Sequence, residues 1–427
     1  MMAATVVLLL VLLLAIRTPV GFAMGISGVV GLYWFGGERV VMGILSTMPR
    51  DSAAVYEFLT IPMFLLMAEF VLRSGVADDL FRAASAWFGR LRGGLGIATA
   101  VAGAGFGAIC GSSTASAATL SSTSLKAMLT YGYEPRMAAG AVAISGTLSM
   151  LIPPSIAMVV YGLLADVGVA KLLIAGVIPG LMVTLTIALT IYLLAWQDPQ
   201  RAPLADKHSL SEKVALLKNV GPMLVLLFAV TGVIYTGLAT PTEASAMGAL
   251  CSAVIYFLRA RRSLGETYDL IARAVRSSCM IAMILLGAHI FSTFFALTQT
   301  TNAMVQWVTA LDLAPWVFIA VLVLIYIILG CFLDQMAIMV LTVPVVVPLV
   351  ETMGFDLIWF GVIMIVTAEL GMVTPPLGLN AFVVSKYSNV SLADVFLGTL
   401  PHVLAHIVLI VLLAAFPIIT LWLPNQM

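Results

Sequence analysis

Apolar stretches follow one another along the whole chain, and many are too short to cross a bilayer. They run at about 3–16, 19–36, 52–72, 94–132, 136–151, 155–165, 170–196, 220–237, 241–258, 277–298, 315–331, 335–350, 357–374, 376–385 and 396–424. A full helical crossing takes about 20 residues at about 1.5 Å each. The short stretches are interrupted by Gly, Pro and Ser clusters, not by charged loops. Unpaired backbone at membrane depth is tolerated inside protein or beside a water-filled cavity. Short, broken hydrophobic segments in corresponding places of two halves point to a secondary transporter's binding site.

Of 427 residues, 62% are apolar and 9% charged, against about 25% charged in a soluble domain. The expected fold class is therefore an all-α, polytopic integral membrane protein. The apolar stretches exceed the ~10-residue alternating strands of an outer-membrane barrel. A net charge of zero, with scattered basic residues, leaves no nucleic-acid footprint. Cys110, Cys251, Cys279 and Cys331 stand singly in apolar runs. They read as small core residues, not as disulfides or a zinc site. No basic residue precedes the apolar run at 3–16, which reads as a retained first membrane segment.

The two halves match. Thr18-Pro19 recurs as Thr240-Pro241, Pro153-Pro154 as Pro375-Pro376, and Gly176-x-x-Pro179 as Gly398-x-x-Pro401, each 222 residues on. Leu164-Ala-Asp-Val167 recurs as Leu392-Ala-Asp-Val395. The chain divides into a first repeat at 1–197, an amphipathic linker at 198–219 and a second repeat at 220–427. Leu210, Val214, Leu216 and Leu217 give the linker either one face of a surface helix or a few apolar points on a solvated connector. Residues 73–92 carry Arg73, Arg82, Arg90 and Arg92, whereas the equivalent 295–314 carries no Lys or Arg. Conversely, 259–276 carries Arg259, Arg261, Arg262, Arg273 and Arg276, against Arg39 and Arg50 in 37–54. Basic residues mark the cytoplasmic side, so this opposite bias implies inverted repeats.

The first chemical cluster is Gly111-Ser112-Ser113-Thr114-Ala115-Ser116-Ala117. Glycine and serine weaken a helix, and opened backbone and hydroxyls supply oxygens suited to a hard cation such as Na⁺. The same residues also fit a small-residue seam for close packing. The second cluster is Gly146-Thr147 with Ile152-Pro153-Pro154-Ser155, where two prolines remove amide donors and break the helix. The helix that starts at Ser155 turns its positive end on whatever fills the break.

The second half answers with Gly330-Cys331-Phe332-Leu333-Asp334 and with Gly371 to Asn380, which includes Val373, Thr374, Pro376 and Asn380. Asp334 lies amid uncharged residues, and an ionisable group there is a functional candidate by default. Ion coordination, a structural pair and a proton relay all remain open for it. Glu69, Glu243 and Glu369 are weaker candidates, for caps or transport. His289, His402 and His406 fit helix packing. No Lys or Arg is expected in the middle of the site. P-loop, nucleophile-elbow and His-Glu-x-x-His patterns are absent from the sequence, so an enzyme is not expected.

Six motifs in order carry a family resemblance. They are Ile61 to Glu69, Gly111-Ser112-Ser113-x-Ala115, Ile152-Pro153-Pro154-Ser155, Thr240-Pro241-Thr242-Glu243-Ala244, Gly330-x-Phe332-Leu333-Asp334 and Thr374-Pro375-Pro376-x-Gly378-Leu379-Asn380. The chain resembles the large membrane (M) subunit, DctM-like, of tripartite ATP-independent periplasmic (TRAP) transporters. The resemblance implies an elevator-type fold with re-entrant hairpins at about 94–125 and 315–350. It implies Na⁺-driven import of an organic acid anion across the bacterial inner membrane, with Na⁺ as coupling ion and no other cofactor. A four-helix small membrane subunit (Q) on a separate chain and a periplasmic solute-binding protein (P) would be partners. The Na⁺ ligands would come from Ser112, Ser113, Gly146, Thr147, Gly330, Asp334, Gly371, Val373 and Thr374. Substrate would meet Ser116, Pro154, Ser155, Pro376 and Asn380. The rival reading is a stand-alone Na⁺- or H⁺-coupled dicarboxylate or citrate carrier that needs no binding protein.

Overall fold

The computed structural model describes residues 2–259 and 263–427; Arg261 and Arg262, counted above in the basic stretch, lie outside them. The apolar run at 3–36 makes two helices. α1 (Met2–Ala15) ends in a turn where Arg17 takes a positive φ, and α2 (Val20–Ala53) starts after Pro19 and kinks at Gly37. α3 (Thr60–Arg73) and α4 (Val76–Phe88) follow; the segment carrying α3 meets α4 at 65°. α5 (Gly94–Cys110) and α6 (Ser113–Leu120) pack on each other across a two-residue turn. A π turn at Ser121–Leu125 leads into α7 (Lys126–Thr130). α8 (Pro135–Thr147) runs to the first Pro-Pro break, and α9 (Ile156–Ala165), α10 (Val169–Ala175) and α11 (Val177–Gln197) complete the half.

The second half begins inside the expected linker. α12 (Leu210–Tyr235) is one helix of 26 residues, opened by a capping box of Ser209 and Glu212. No separate surface helix ends at 218 or 219: Leu210 to Lys218 are its first turns, and the irregular connector is confined to 198–209. The reason is local. The Ser-x-x-Glu box satisfies the first amides and the apolar run behind it propagates the helix. α13 (Pro241–Arg259) and α14 (Leu264–Leu297) follow, so Arg273 and Arg276 stand within a 34-residue helix and not in a loop. α15 (Thr300–Ala310), α16 (Pro315–Phe332), α17 (Gln335–Thr352), α18 (Leu357–Gly371), α19 (Leu379–Tyr387), α20 (Leu392–Ala415) and α21 (Ile418–Leu421) finish the chain.

The halves interlock. α2 packs on α14, α3 on α13, α8 on α20 and α9 on α17, each pair taking one helix from either half. Small residues set the closest approaches. A Cβ on Gly28 would stand 3.0 Å from the Phe291 amide nitrogen, and Gly140 lies directly on Gly398. Without a hydrophobic drive between helices in lipid, such contacts supply the packing energy. Among the described residues, eight helices are long and apolar enough to cross a membrane, or up to nine if the bent pair counts as one span. The chain is thus an all-α, multi-pass integral membrane protein.

Candidate functional site

Two short turns, 222 residues apart in sequence, form the centre of the site. In the first, Gly111 (φ +60°) ends α5 and Ser112 takes an extended conformation. Ser112 Oγ accepts from the Ala115 amide at 3.4 Å, capping α6. In the second, Leu333 and Asp334 are both extended, and Asp334 Oδ1 accepts from the Ala337 amide at 2.9 Å, capping α17. The two caps are equivalent positions of the repeat. Both side chains satisfy an orphan amide at a helix start, as Ser and Asp characteristically do. Asp334 also places a full negative charge at the positive end of α17. Its Oδ2 has no hydrogen-bond partner among the described residues.

The supporting backbone is tightly packed. Gly330, near the end of α16, lies on Gly371 at the end of α18; a Cβ on Gly330 would stand 2.5 Å from Ala368 O. In the first half, Gly107 of α5 plays the same part, with a Cβ placed 2.8 Å from Ser149 Cα. Both Pro-Pro bonds, Pro153-Pro154 and Pro375-Pro376, are cis. After the first, Ser155 caps α9 by accepting from the Met158 amide at 3.3 Å, and its hydroxyl donates to Met150 O. After the second, the Gly378 amide donates to Cys331 O at 3.1 Å and the Asn380 amide to Met372 O at 3.0 Å. The second break is therefore stitched to the second turn. Ser113 Oγ lies 3.7 Å from Met372 Sδ, which joins the first turn to the second break.

Both turns open on one cavity of about 710 Å³. Ser112, Ser113 and Thr114 line it from the first turn, and Asp334, Gln335, Met336 and Ala337 from the second. Pro19 to Phe22 of α2 and Arg276 to Ile284 of α14 supply residues to the opposite wall. Asp334 is exposed to this space. The remaining candidates are placed around it. Ser116, Gly146, Thr147, Ser155, Val373 and Asn380 are buried beneath the turns, with Gly146 against Ala117 of α6. Thr147 Oγ1 donates to Ile144 O at 2.8 Å and Thr374 Oγ1 to Leu370 O at 2.7 Å, so both hydroxyls are engaged within their own helical segments. Pro154 is buried, Pro376 is exposed, and neither lines the cavity.

Several buried polar atoms lack partners: Ser116 Oγ, both amide atoms of Gln335 and both of Asn380. Buried polar groups are normally satisfied, and exceptions cluster where a ligand or water binds. Carboxylate, hydroxyl and amide oxygens on two facing turns are the donor set a hard cation takes. Glu369, buried on α18, lies against the Met150 backbone and leaves Oε1 unpartnered. Glu69 pairs with Arg273 at 3.0 Å, and Glu243 caps α13 through Thr240. His402 and His406 are buried in α20, and His289 Nδ1 meets Ser52 Oγ at 2.9 Å.

One expectation fails. Arg276 stands on the cavity wall, although no basic side chain was expected at the site. Counted as part of a basic loop, it falls on the fourth turn of α14, facing the caps. A signal was present in the sequence: no acidic residue lies three or four positions away to neutralise it on its own helix. Gln335, next to Asp334, was also missed.

Comparison with known proteins fits this geometry. The chain is 35% identical over 404 residues to the C4-dicarboxylate TRAP transporter large permease protein DctM of Pseudomonas aeruginosa, covering 94% of each. It is 29% identical over 418 residues to the sialic acid TRAP transporter permease protein SiaT of Haemophilus influenzae, covering 97% of this chain and 67% of that one. Its fold resembles the Alcanivorax borkumensis YdaH transporter, with a TM-score of 0.63 at 15% identity over 89% of each chain. These relatives are transporters, in keeping with a site that holds no nucleophile-and-base pair. The model of the tripartite ATP-independent periplasmic transporter, DctM component, matches residues 7–419, both turns and both Pro-Pro breaks included, and the chain belongs to that family.

Proposed function

We propose that this large permease imports an organic acid anion by Na⁺ symport, across a bacterial inner membrane, as the moving part of an elevator. The observation that carries the reading is the pair of equivalent caps, Ser112 and Asp334, on two turns that share one cavity. Na⁺ at the Asp334 turn neutralises the carboxylate, and Na⁺ at the Ser112 turn draws on Ser113 and neighbouring carbonyls. Bound Na⁺ orders the opened backbone around Gly330, Gly371, Val373 and Thr374, and around Gly146 and Thr147. The anion then lies between helix starts near Ser116, Ser155 and Asn380, with Pro154 and Pro376 holding the breaks open. The two helix pairs act as hairpins that slide past the layer built from α2, α3, α13 and α14. Differential Na⁺ affinity of the two positions couples the ion to the movement.

C4-dicarboxylates and sialic acid, named for the relatives, make a carboxylate the substrate class. A separate small membrane subunit and a periplasmic binding protein would complete the assembly. The test is uptake into proteoliposomes holding both membrane subunits. Accumulation of the binding protein's carboxylate ligand should require the added binding protein and an inward Na⁺ gradient. Uptake at full rate without the binding protein would favour a stand-alone carrier, and uptake indifferent to Na⁺ would remove the symport reading.

A further inference from the structure

The charged residues that reach the middle of the molecule are not alike. Arg273 on α14 is neutralised by Glu69 of α3, and Arg259 on α13 by Asp79 of α4. Arg276, three positions after Arg273, has no hydrogen bond or ion pair among the described residues and lines the cavity. A guanidinium facing a low-dielectric cavity keeps its charge, because it does not deprotonate in proteins. It is then balanced by solvent or by an anion. Across the cavity stand the Asp334 cap and Gln335, which is fully buried with both amide atoms unpartnered. The same space is lined by Met150, Met280, Met283, Met336 and Met372.

We propose that Arg276 is the anion-docking residue of this cavity, binding the carboxylate of the transported acid from the α14 wall. The proposal rests on the transport reading above and adds to it a side-chain anchor. The planar fork of arginine matches a carboxylate with two parallel hydrogen bonds. Gln335 offers an amide donor and an acceptor on the facing side. The five methionines supply flexible, polarizable walls that repack around acids of different shape. Fixed charge thus holds the feature common to all carboxylates, and soft walls leave the remainder of the molecule unread. Because α14 belongs to the opposite wall from the hairpin turns, the contact exists when the turns face it and is lost when they move away.

Cys279, three residues after Arg276, is an exposed thiol on the same wall and provides a reporter. Cys251, also exposed, is first removed as Cys251→Ser; Cys110 and Cys331 are buried. Cys279 is then alkylated in the purified, folded membrane complex with a small sulfonate-bearing methanethiosulfonate and with its trimethylammonium counterpart. The sulfonate reagent should react faster, and Arg276→Gln should reverse or abolish that preference, a change of about tenfold in the rate ratio. Arg276→Lys should keep the preference, because the charge stays. In proteoliposomes Arg276→Gln should raise the KM for the carboxylate at least tenfold and leave the Na⁺ dependence in place. An unchanged reagent preference in Arg276→Gln would overturn the docking role even if uptake is Na⁺-driven. Loss of Na⁺-driven uptake in the wild type, with the reagent preference intact, would remove the transport reading alone. If Arg276→Gln does not fold, Arg276→Lys with the reagent pair, set against Cys279 alkylation at rising salt, reads the same field. A preference that salt does not weaken would contradict it.

Discussion

The turn between α5 and α6 and the turn between α16 and α17 are the same device built with different chemistry. Each ends a helix, extends the chain and starts the next helix with a side-chain cap onto the amide three residues on. One cap is the hydroxyl of Ser112 and the other the carboxylate of Asp334. If capping were the whole requirement, serine would serve at both, since the two residues cap about equally well. The second turn carries a charge that the fold does not need. That excess points to an ion, and it marks the second turn as the one whose state is switched by neutralisation.

The comparison can be broken by substitution. Asp334→Asn keeps an oxygen for the Ala337 amide but removes the charge. A unit charge about 4 Å from a cation is worth about 4 kcal/mol at an effective dielectric near 20. The Na⁺ concentration for half-maximal uptake should therefore rise at least ~100-fold. A rise of less than threefold would place the ion elsewhere.

Next come the glycines beneath the two turns. A Cβ on Gly330 meets backbone, Ala368 O at 2.5 Å, and one on Gly107 meets Ser149 Cα at 2.8 Å. Backbone cannot swing aside as a flexible side chain can. Gly330→Ala and Gly107→Ala should each cost about 1–3 kcal/mol, seen as a lower midpoint for thermal unfolding in detergent. Equal losses would confirm that the two turns are equally constrained. A neutral Gly330→Ala would deny the close approach of α16 to α18.

Ser112→Ala should act more gently. It removes a 3.4 Å cap contact, worth about 1 kcal/mol, and one neutral oxygen from the first turn. Uptake should need less than ~10-fold more Na⁺. A loss as large as that of Asp334→Asn would show that the hydroxyl matters as much as the charge. Smallest is Ser209→Ala, which breaks the capping box of α12 far from both turns along the chain. It should lower stability by about 1 kcal/mol and leave the Na⁺ dependence of uptake where it was.

How much of this was legible in the sequence varied with the kind of information required. The repeat was, because the 222-residue offset is a property of the chain alone. So were the breaks, since two prolines cannot continue a helix. The exposure of Asp334 was not. Uncharged neighbours on both sides suggest an enclosed group, but at a two-residue turn the cap faces the cavity and not its own flanks. The linker was misread at its C-terminal end, because the Ser209–Glu212 box was not weighed against the charge count. Arg276 and Glu69 illustrate the larger limit. Whether an arginine meets an acid or a cavity depends on how α14 is rotated against α3 and α2, which lie about 200 residues away in sequence. Periodicity shows which residues share a helix face, not what that face meets.

The central claim, that the charge at the second turn holds the coupling ion, is tested most directly by Na⁺-dependent thermal stabilisation of the purified protein. A ligand that binds the folded state raises its stability by RT ln(1 + [L]/Kd). Wild type should gain stability as Na⁺ replaces K⁺ at constant ionic strength. Ser112→Ala should keep most of that gain at higher Na⁺, whereas Asp334→Asn should lose the larger part. A full Na⁺-specific gain in Asp334→Asn, equal to that of wild type, would contradict the account.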